Sequence, residues 1–164
     1  MDIIQPGTSE YEEADLFLLM AATVSNNSNG CYHSLCGAVV VSRAGEVIGS
    51  GFNSPPQGLE SQRRCHLTDA DFSERFHSDR TCCVHAEQRA IMDALRHNAH
   101  LLPNARLYFG RCDQVGQLQL SHDPRCTICS KLILDVGIRE VVLSREAGIT
   151  VYLAVEFNDL SFAY

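Results

Sequence analysis

Two short motifs, each at the start of a predicted helix, constrain the fold of this chain more than any other feature. His85 and Glu87 lie in TCCVHAEQRAIMDAL, residues 81–95, where one helix begins. Cys126 and Cys129 form a Cys-x-x-Cys pair in PRCTICSK, where another helix begins. Histidine nitrogen and cysteine sulfur are the ligands that zinc prefers in proteins. If these side chains bind one ion, the fold must bring two helix N-termini together.

Neither motif identifies a site by itself. An acidic residue at a helix start often only interacts favourably with the helix dipole. A Cys-x-x-Cys pair is also typical of buried small residues or of a redox dithiol. Taken together, however, His85, Cys126 and Cys129 give three protein ligands and leave a fourth position open, as in hydrolytic zinc sites. Glu87 is then placed to shuttle a proton.

Length and composition predict a single domain over residues 1–164. Hydrophobic residues make up 45% of the chain and charged residues 20%, which is typical of a globular protein. No apolar run approaches the roughly 18 residues of a membrane span. The acidic N-terminal segment predicts no signal peptide, and hence a cytoplasmic protein. In that compartment eight cysteines favour metal binding or burial over a disulfide framework.

The formal net charge of −7 disfavours a nucleic-acid partner, since such proteins usually carry a broad basic surface. A small anionic ligand needs only a local positive pocket, so it stays compatible with this charge.

The hydrophobic pattern predicts the order α-β-β-α-β-α-β-β and a mixed sheet covered by helices on both faces. The first helix has Ser9 as its N-cap, and CGAVVVSRAGEVIGSGFN forms a hairpin around Ala44–Gly45. Residues 54–80 form a long polar loop, which is usually functional or pinned. ARLYFGR, REVVLSR and TVYLAVE are strands, and helices cover about 83–97 and 126–137. The apolar face of the first helix is predicted to comprise Leu16, Leu19, Met20, Thr23 and Val24.

The HAE triplet and PRCTIC resemble the zinc-dependent cytidine/deoxycytidylate deaminase superfamily, whose signature is H-x-E followed by P-C-x-x-C. The resemblance spans residues 10–155 and implies a three-layer α/β/α fold with a central mixed sheet of about five strands. It implies that His85, Cys126 and Cys129 bind a catalytic zinc, and that Glu87 carries the proton from water to the departing ammonia. Relatives form dimers or larger rings, so it also implies a homo-oligomer.

Two residues depart from the usual family pattern. Arg125 stands between Pro124 and Cys126, where the family usually has proline next to the first cysteine. Its side chain either points into the site or projects to solvent, and we count it with Ala86 among the candidate substrate contacts. Arg89 stands where relatives commonly have asparagine.

The remaining cysteines resemble those of deoxycytidylate deaminases, some of which carry a second, structural zinc. On that pattern the ligands are Cys31, Cys65, His77 and Cys83. Cys82 and His66 each lie one residue from a chosen ligand and are the nearest alternatives. The alternative interpretation is that these residues are scattered thiols and surface histidines that bind no metal. Cys36 and Cys112 are predicted to be packed residues without a role in a site.

The segment GSGFNSPPQG resembles the turn in which deoxycytidylate deaminases bind the nucleoside sugar through an asparagine, here Asn53. A turn without a ligand contact is the alternative.

Three classes of function follow. The first is deamination of a pyrimidine nucleotide, dCMP to dUMP. The second is the same chemistry on another aminated base: cytidine, cytosine, guanine, or a base in tRNA or single-stranded nucleic acid. The third is a non-catalytic zinc-stabilised module, which would have no use for Glu87.

Overall fold

The computed structural model describes most of the chain around one mixed β-sheet. The described residues are 1–26, 31, 34–65, 67 and 82–164. Within them the strands are β1 (Asp2–Ile3), β2 (Leu35–Val41), β3 (Val47–Phe52), β4 (Arg106–Cys112), β5 (Leu118–Gln119), β6 (Glu140–Arg145) and β7 (Gly148–Leu153). The α-helices are α1 (Ser9–Ser25), α2 (Ala86–His97), α3 (Thr127–Asp135) and α4 (Ala154–Ala163). Among these residues no helix combines the length and apolar character needed to cross a membrane.

The strand order is β1-β7-β6-β4-β2-β3, with β5 paired to β4. Strands β4 and β6 are parallel, and the other neighbours are antiparallel. The predicted mixed sheet is confirmed, and the described sheet of seven strands exceeds the expected five by the two-residue strands β1 and β5. The predicted hairpin is β2–β3, with Gly45 at a φ of +82° in its turn.

Helices cover both faces of the sheet, which confirms the three-layer fold. On one face, α1 packs on Val39, Tyr108 and Val142. On the other face, α2, α3 and α4 pack on the alternate residues of the same strands, among them Val40 and Leu107. Successive residues of a strand point to opposite faces, so each strand contributes to both cores.

The predicted face of α1 is wrong. Leu16 is 55% exposed and Leu19 46%, and the buried face is formed by small residues with Phe17 and Leu18. The reason is a close approach of the helix to the sheet: a Cβ on Gly37 would lie 1.9 Å from the backbone oxygen of Ala21. The buried face includes Ala14, Ala21 and Ala22, whereas Met20 and Thr23 are exposed and Val24 is half-buried.

The N-cap of α1 is Thr8, one residue before the predicted Ser9. The Thr8 hydroxyl oxygen accepts a hydrogen bond from the backbone N–H of Tyr11 at 3.2 Å. This interaction satisfies one of the free N–H groups of the first turn.

The last predicted strand is too long, and helix α4 was missed. Strand β7 ends at Leu153 and α4 begins at the next residue, with no side-chain cap to mark the boundary. The helix is held by Phe157, which is 7% exposed in the core, and by Asn158, whose side-chain oxygen accepts a hydrogen bond from the Ser130 hydroxyl of α3.

Helix α2 lies against the edge strand β3. A Cβ on Gly51 would lie 2.5 Å from the backbone nitrogen of Ala90, so glycine permits this approach. Side chains of the helix region then satisfy the open edge of the strand: Asp93 accepts from the Ser50 N–H, and Asn98 donates to the Ile48 carbonyl. The helix that carries the first motif is therefore fixed directly on the sheet.

Candidate metal centre and its pocket

Sheet topology brings the two motif-bearing helices to one edge. Strands β3 and β4 run in the same direction because both are antiparallel to β2, which lies between them. Helix α2 connects β3 to β4, and α3 connects β4 to the parallel strand β6. Both helices therefore begin at the edge where β3 and β4 end, which is where ligands bind in such sheets.

The first helix start is held by backbone and side-chain hydrogen bonds. Val84 and Ser54 form an isolated β-bridge, with N–H···O distances of 2.9 and 3.4 Å. His85 follows as the residue before α2, and its N–H donates to the side-chain oxygen of Gln88 at 3.0 Å. The imidazole is thus presented from a pinned backbone.

The three predicted ligands of the first site meet. His85 Nδ1 lies 3.2 Å from Cys129 Sγ and 3.4 Å from Cys126 Sγ, and the three atoms all lie within 4.8 Å of one another. A nitrogen and a sulfur bound tetrahedrally to one zinc lie about 3.6 Å apart, given Zn–N and Zn–S distances of about 2.1 and 2.3 Å. The donor set therefore fits a zinc ion.

The two thiols are electrostatically unequal. Hydrogen bonding with Cys129 lowers the pKa of Cys126 to about 4, against the effect of burial and with help from His85. The same interaction with Cys126, followed by burial, raises the pKa of Cys129. A bound cation would favour the thiolate form of both.

Glu87 lies beside these ligands and lines the same cavity. The residue as a whole is half-buried, but its carboxyl group is packed among protein atoms, and this desolvation raises its pKa. A carboxyl group whose pKa is moved towards neutrality is suited to take up and release a proton.

The cavity measures about 360 Å³, within the range of small-molecule sites. His85 and Glu87 lie in it, and Phe109, Leu143 and Phe157 contribute apolar walls. These dimensions suit one ring with its attached groups.

The candidate substrate contacts all line this cavity. Asn53 is 9% exposed; its oxygen accepts from the Cys36 N–H at 2.9 Å, and its amide donates to the Ser34 carbonyl at 2.8 Å. Ala86 is fully buried. The exposed side chain of Arg125 reaches the cavity and stacks on the Tyr164 ring, 4.7 Å from its centroid.

Sequence reasoning missed most of the residues that line the cavity, among them Cys36, Arg111 and His122. Cys36, interpreted as a packed thiol, lines the wall, and burial raises its pKa to about 11. Arg111 and His122 lie at the mouth with an inter-nitrogen distance of 2.5 Å. Of the three, only Arg111 could have been found from the sequence. Side chains alternate between the two faces along β4, so Arg111 lies on the same face as Phe109. Cys112 is buried and contacts the Ser25 hydroxyl, so its interpretation as a packed residue is confirmed.

A second cluster of sulfur atoms forms where irregular segments meet. Cys31, Cys65 and Cys83 have sulfur atoms within 4.8 Å of one another, and Cys31 lies 3.8 Å from Cys65. The predicted ligand His77 and the alternative His66 lie outside the described residues.

Comparison with known proteins is consistent with this arrangement. The family described as "Cytidine and deoxycytidylate deaminase zinc-binding region" matches residues 11–145. A deoxycytidylate deaminase of Mycobacterium phage D29 is 33% identical over 141 residues, which are 81% of this chain and 95% of the relative.

Two yeast relatives are longer proteins. Deoxycytidylate deaminases of Schizosaccharomyces pombe and Saccharomyces cerevisiae are 29% and 31% identical over 86% and 80% of this chain. The chain spans only 39% and 37% of their lengths.

Solved structures share the fold. The dCMP deaminase of cyanophage S-TIM5, in complex with dCMP and dUMP, matches with a TM-score of 0.52 and 23% identity, over 82% of this chain and 80% of that one. Cytidine deaminase from Burkholderia pseudomallei matches with a TM-score of 0.53 and 21% identity, over 85% and 92%. On the family match and the phage relative, this chain belongs to the cytidine and deoxycytidylate deaminase family.

Proposed function

We propose that this protein is a zinc-dependent deaminase that converts dCMP and water to dUMP and ammonia. The observation that carries the proposal is the convergence of His85, Cys126 and Cys129 with Glu87 in one cavity. Names of relatives point the same way, since curated relatives are deoxycytidylate deaminases.

In the proposed reaction a water oxygen bonds to the ring carbon that bears the exocyclic amine, and the carbon–nitrogen bond then breaks. When bound, zinc supplies a Lewis acid that lowers the pKa of a water molecule towards neutrality. Glu87 takes the proton of the attacking water and delivers it to the departing amine. Apolar walls at Phe109 and Phe157 exclude bulk water, which strengthens electrostatic interactions within the cavity.

The mouth of the cavity favours a phosphate-bearing substrate over a neutral nucleoside. Arg111 and Arg125 line it together with His122. Asp123 also lines the cavity and pairs with Arg145, so the charges at the mouth are three arginines and one carboxylate, although the whole chain carries −7. The charge of Arg111, followed by burial and Arg125, lowers the pKa of His122. Guanidinium groups are the preferred partners of phosphate oxygens. The acidic remainder of the surface disfavours a long nucleic acid.

Asn53 is the proposed sugar contact. Its side chain already fixes the backbone at the start of β2, through Cys36 and Ser34. An amide has two donor hydrogens and an oxygen with two lone pairs, so one donor and one acceptor position remain for a hydroxyl group.

A second zinc is part of the proposal, with a structural role. Two sulfur atoms on one tetrahedral zinc lie about 3.8 Å apart. The distance between Cys31 and Cys65 matches this value, and Cys83 joins the same cluster. Such an ion would join the segment after α1, the loop after β3 and the approach to α2.

The enzyme is proposed to be a cytoplasmic homo-oligomer. Leu16, Leu19 and Met20 form an exposed apolar strip on α1 that a second copy would cover. Light scattering coupled to size-exclusion chromatography gives the oligomeric state. A monomer at micromolar concentration would contradict the proposed homo-oligomer.

The substrate test is ammonia release from a matched panel. The panel contains dCMP, CMP, deoxycytidine, cytosine, guanine and an adenosine-containing RNA. We expect turnover of dCMP and much weaker turnover of deoxycytidine, because only the former presents a phosphate to Arg111 and Arg125. Activity on RNA alone, or on deoxycytidine as efficiently as on dCMP, would contradict the proposed substrate.

A further inference from the structure

Helix α4 contacts the site at both the wall and the mouth of the cavity. Phe157, in the first turn of the helix, is buried and lines the wall. Tyr164 follows the last helical residue, and its ring centroid lies 4.7 Å from the guanidinium carbon of Arg125. Tyr164 comes seven residues after Phe157, which corresponds to about two helical turns, so both aromatic rings lie on the same side of α4.

Hydrogen bonds and burial fix α4 on the neighbouring helix. The Ser130 hydroxyl of α3 donates to the side-chain oxygen of Asn158 at 2.9 Å. Ser161 is 2% exposed, and its hydroxyl donates to the Phe157 carbonyl one turn earlier at 2.8 Å. Arg125 lies two residues before the first residue of α3. The tyrosine and the arginine are therefore carried by two elements that pack on each other.

The contact with Tyr164 leaves the N–H groups of Arg125 available to a ligand. Among the described residues Arg125 takes part in no salt bridge, and the carboxylate of Asp123 pairs with Arg145 instead. A cation held against an aromatic face uses none of the guanidinium N–H donors, whose planar arrangement matches phosphate oxygens. The ring can therefore restrain Arg125 without competing with a phosphate group.

We propose that Tyr164 is a positioning residue that holds the Arg125 guanidinium at the cavity mouth for the phosphate group of the substrate. This role rests on the proposed function, because it requires a nucleotide substrate. Arg125 is exposed, and ordering a long exposed side chain on binding costs conformational entropy. The ring restricts the rotamers of Arg125 before the ligand binds, so the nucleotide binds more tightly. The chemical step takes place at Glu87 and is not affected.

Steady-state kinetics of substitutions at Tyr164 test the proposed role. Tyr164 is 78% exposed, so its substitution leaves the core unchanged. Tyr164→Leu should raise KM for dCMP about fivefold, the size of effect expected for one cation–π contact. The kcat for dCMP and the KM for deoxycytidine, which has no phosphate, should stay the same. Tyr164→Phe keeps an aromatic face and should have the KM of the unmodified protein. An unchanged KM for dCMP in Tyr164→Leu, or an equal rise in Tyr164→Phe, would overturn the role of the ring.

Phe162→Leu is the matched control variant. Phe162 is a second exposed aromatic residue near the end of α4, and its ring centroid lies 5.8 Å from the amine of Lys131. Lys131 is not among the described residues that line the cavity. Phe162→Leu should therefore leave KM for dCMP unchanged. A rise as large as that of Tyr164→Leu would show a general effect of removing aromatic residues from α4, which contradicts a specific role of Tyr164.

A double variant tests whether the ring acts through the arginine. Arg125→Gln alone should raise KM for dCMP about tenfold, because it removes a charge-assisted hydrogen bond to the phosphate group. Adding Tyr164→Leu should cause no further rise, since no guanidinium remains to be positioned. If the two effects multiply, Tyr164 acts independently of Arg125 and the inference is wrong.

The kinetics of the unmodified protein separate this inference from the proposed function. An unmodified protein that releases no ammonia from dCMP would contradict both. If the unmodified protein deaminates dCMP and Tyr164→Leu has the same KM, only the role of Tyr164 is contradicted.

Discussion

The two clusters of candidate metal ligands differ in what holds them. The first uses His85, Cys126 and Cys129 on the starts of two helices that pack on the sheet, and it opens to a cavity of about 360 Å³. The second uses cysteines on segments without regular secondary structure. Ligands on helix starts are positioned by the core, whereas ligands on irregular segments depend on the ion itself. If the proposed ions bind, the same ligand chemistry would serve reactivity at the first cluster and folding at the second.

The largest expected effect is on turnover. Glu87→Gln should lower kcat by at least about 10³-fold, because general acid–base catalysis contributes factors of this size. Zinc content should stay the same, since Glu87 is not among the proposed ligands. Steady-state kinetics and metal analysis on one preparation check both parts, and loss of zinc would show that Glu87 holds the ion.

The next largest effect is on the free energy of unfolding, which substitutions in the two clusters should change by different amounts. Cys65→Ser should lower the free energy of unfolding by more than about 2 kcal/mol, because a structural ion contributes binding free energy to folding. Cys126→Ser is the matched control: it should abolish activity and lower stability much less. Chemical denaturation measures the free energy of unfolding of both variants. Equal decreases would contradict the proposed difference between the two clusters.

Charge at the cavity mouth should affect the nucleotide selectively. Arg111→Gln should raise KM for dCMP about tenfold or more, since a charge-assisted hydrogen bond contributes about 1.5–3 kcal/mol. The kinetics of deoxycytidine should change little. Arg43→Gln, an exposed arginine in the β2–β3 turn, is the control variant. A KM increase of the same size for deoxycytidine would rule out phosphate recognition by Arg111.

The smallest effect is a pH dependence. Arg111 holds the pKa of His122 below its ordinary value, so the imidazole is largely neutral at pH 7 in the free protein. A bound phosphate raises this pKa. Binding of dCMP should therefore be strongest below the pKa of the free protein and weaken as the pH rises through the pKa of the complex. Measurement of KM across pH should show this slope, His122→Gln should flatten it, and an unchanged slope in that variant would contradict the assignment.

The chemistry of the first site was predictable because the H-x-E triplet and the Cys-x-x-Cys pair resemble a known family signature. Each motif stands before a helix-forming run, and the order of elements places both helix starts at one edge. The hairpin was predictable for a similar reason, since the turn at Gly45 lies between two apolar runs.

Other features depend on tertiary contacts that no local pattern records. The buried face of α1 consists largely of alanines because Gly37 brings the helix close to the sheet, so the larger residues lie outside. Helix α4 begins without a capping side chain after β7, and its sequence continues the apolar strand. Cys36 and His122 belong to the cavity only because the strand ends and the loop before α3 meet there.

The bridge between Val84 and Ser54 has a thermodynamic consequence. Val84 lies between Cys83 and His85, so three consecutive residues carry one ligand of each proposed site and a pinned residue between them. If one bound ion stabilises the backbone of residues 83–85 in this position, it raises the affinity of the other site for its ion by the same free energy. The effect is equal in both directions. The two ions would therefore bind cooperatively, without any contact between them.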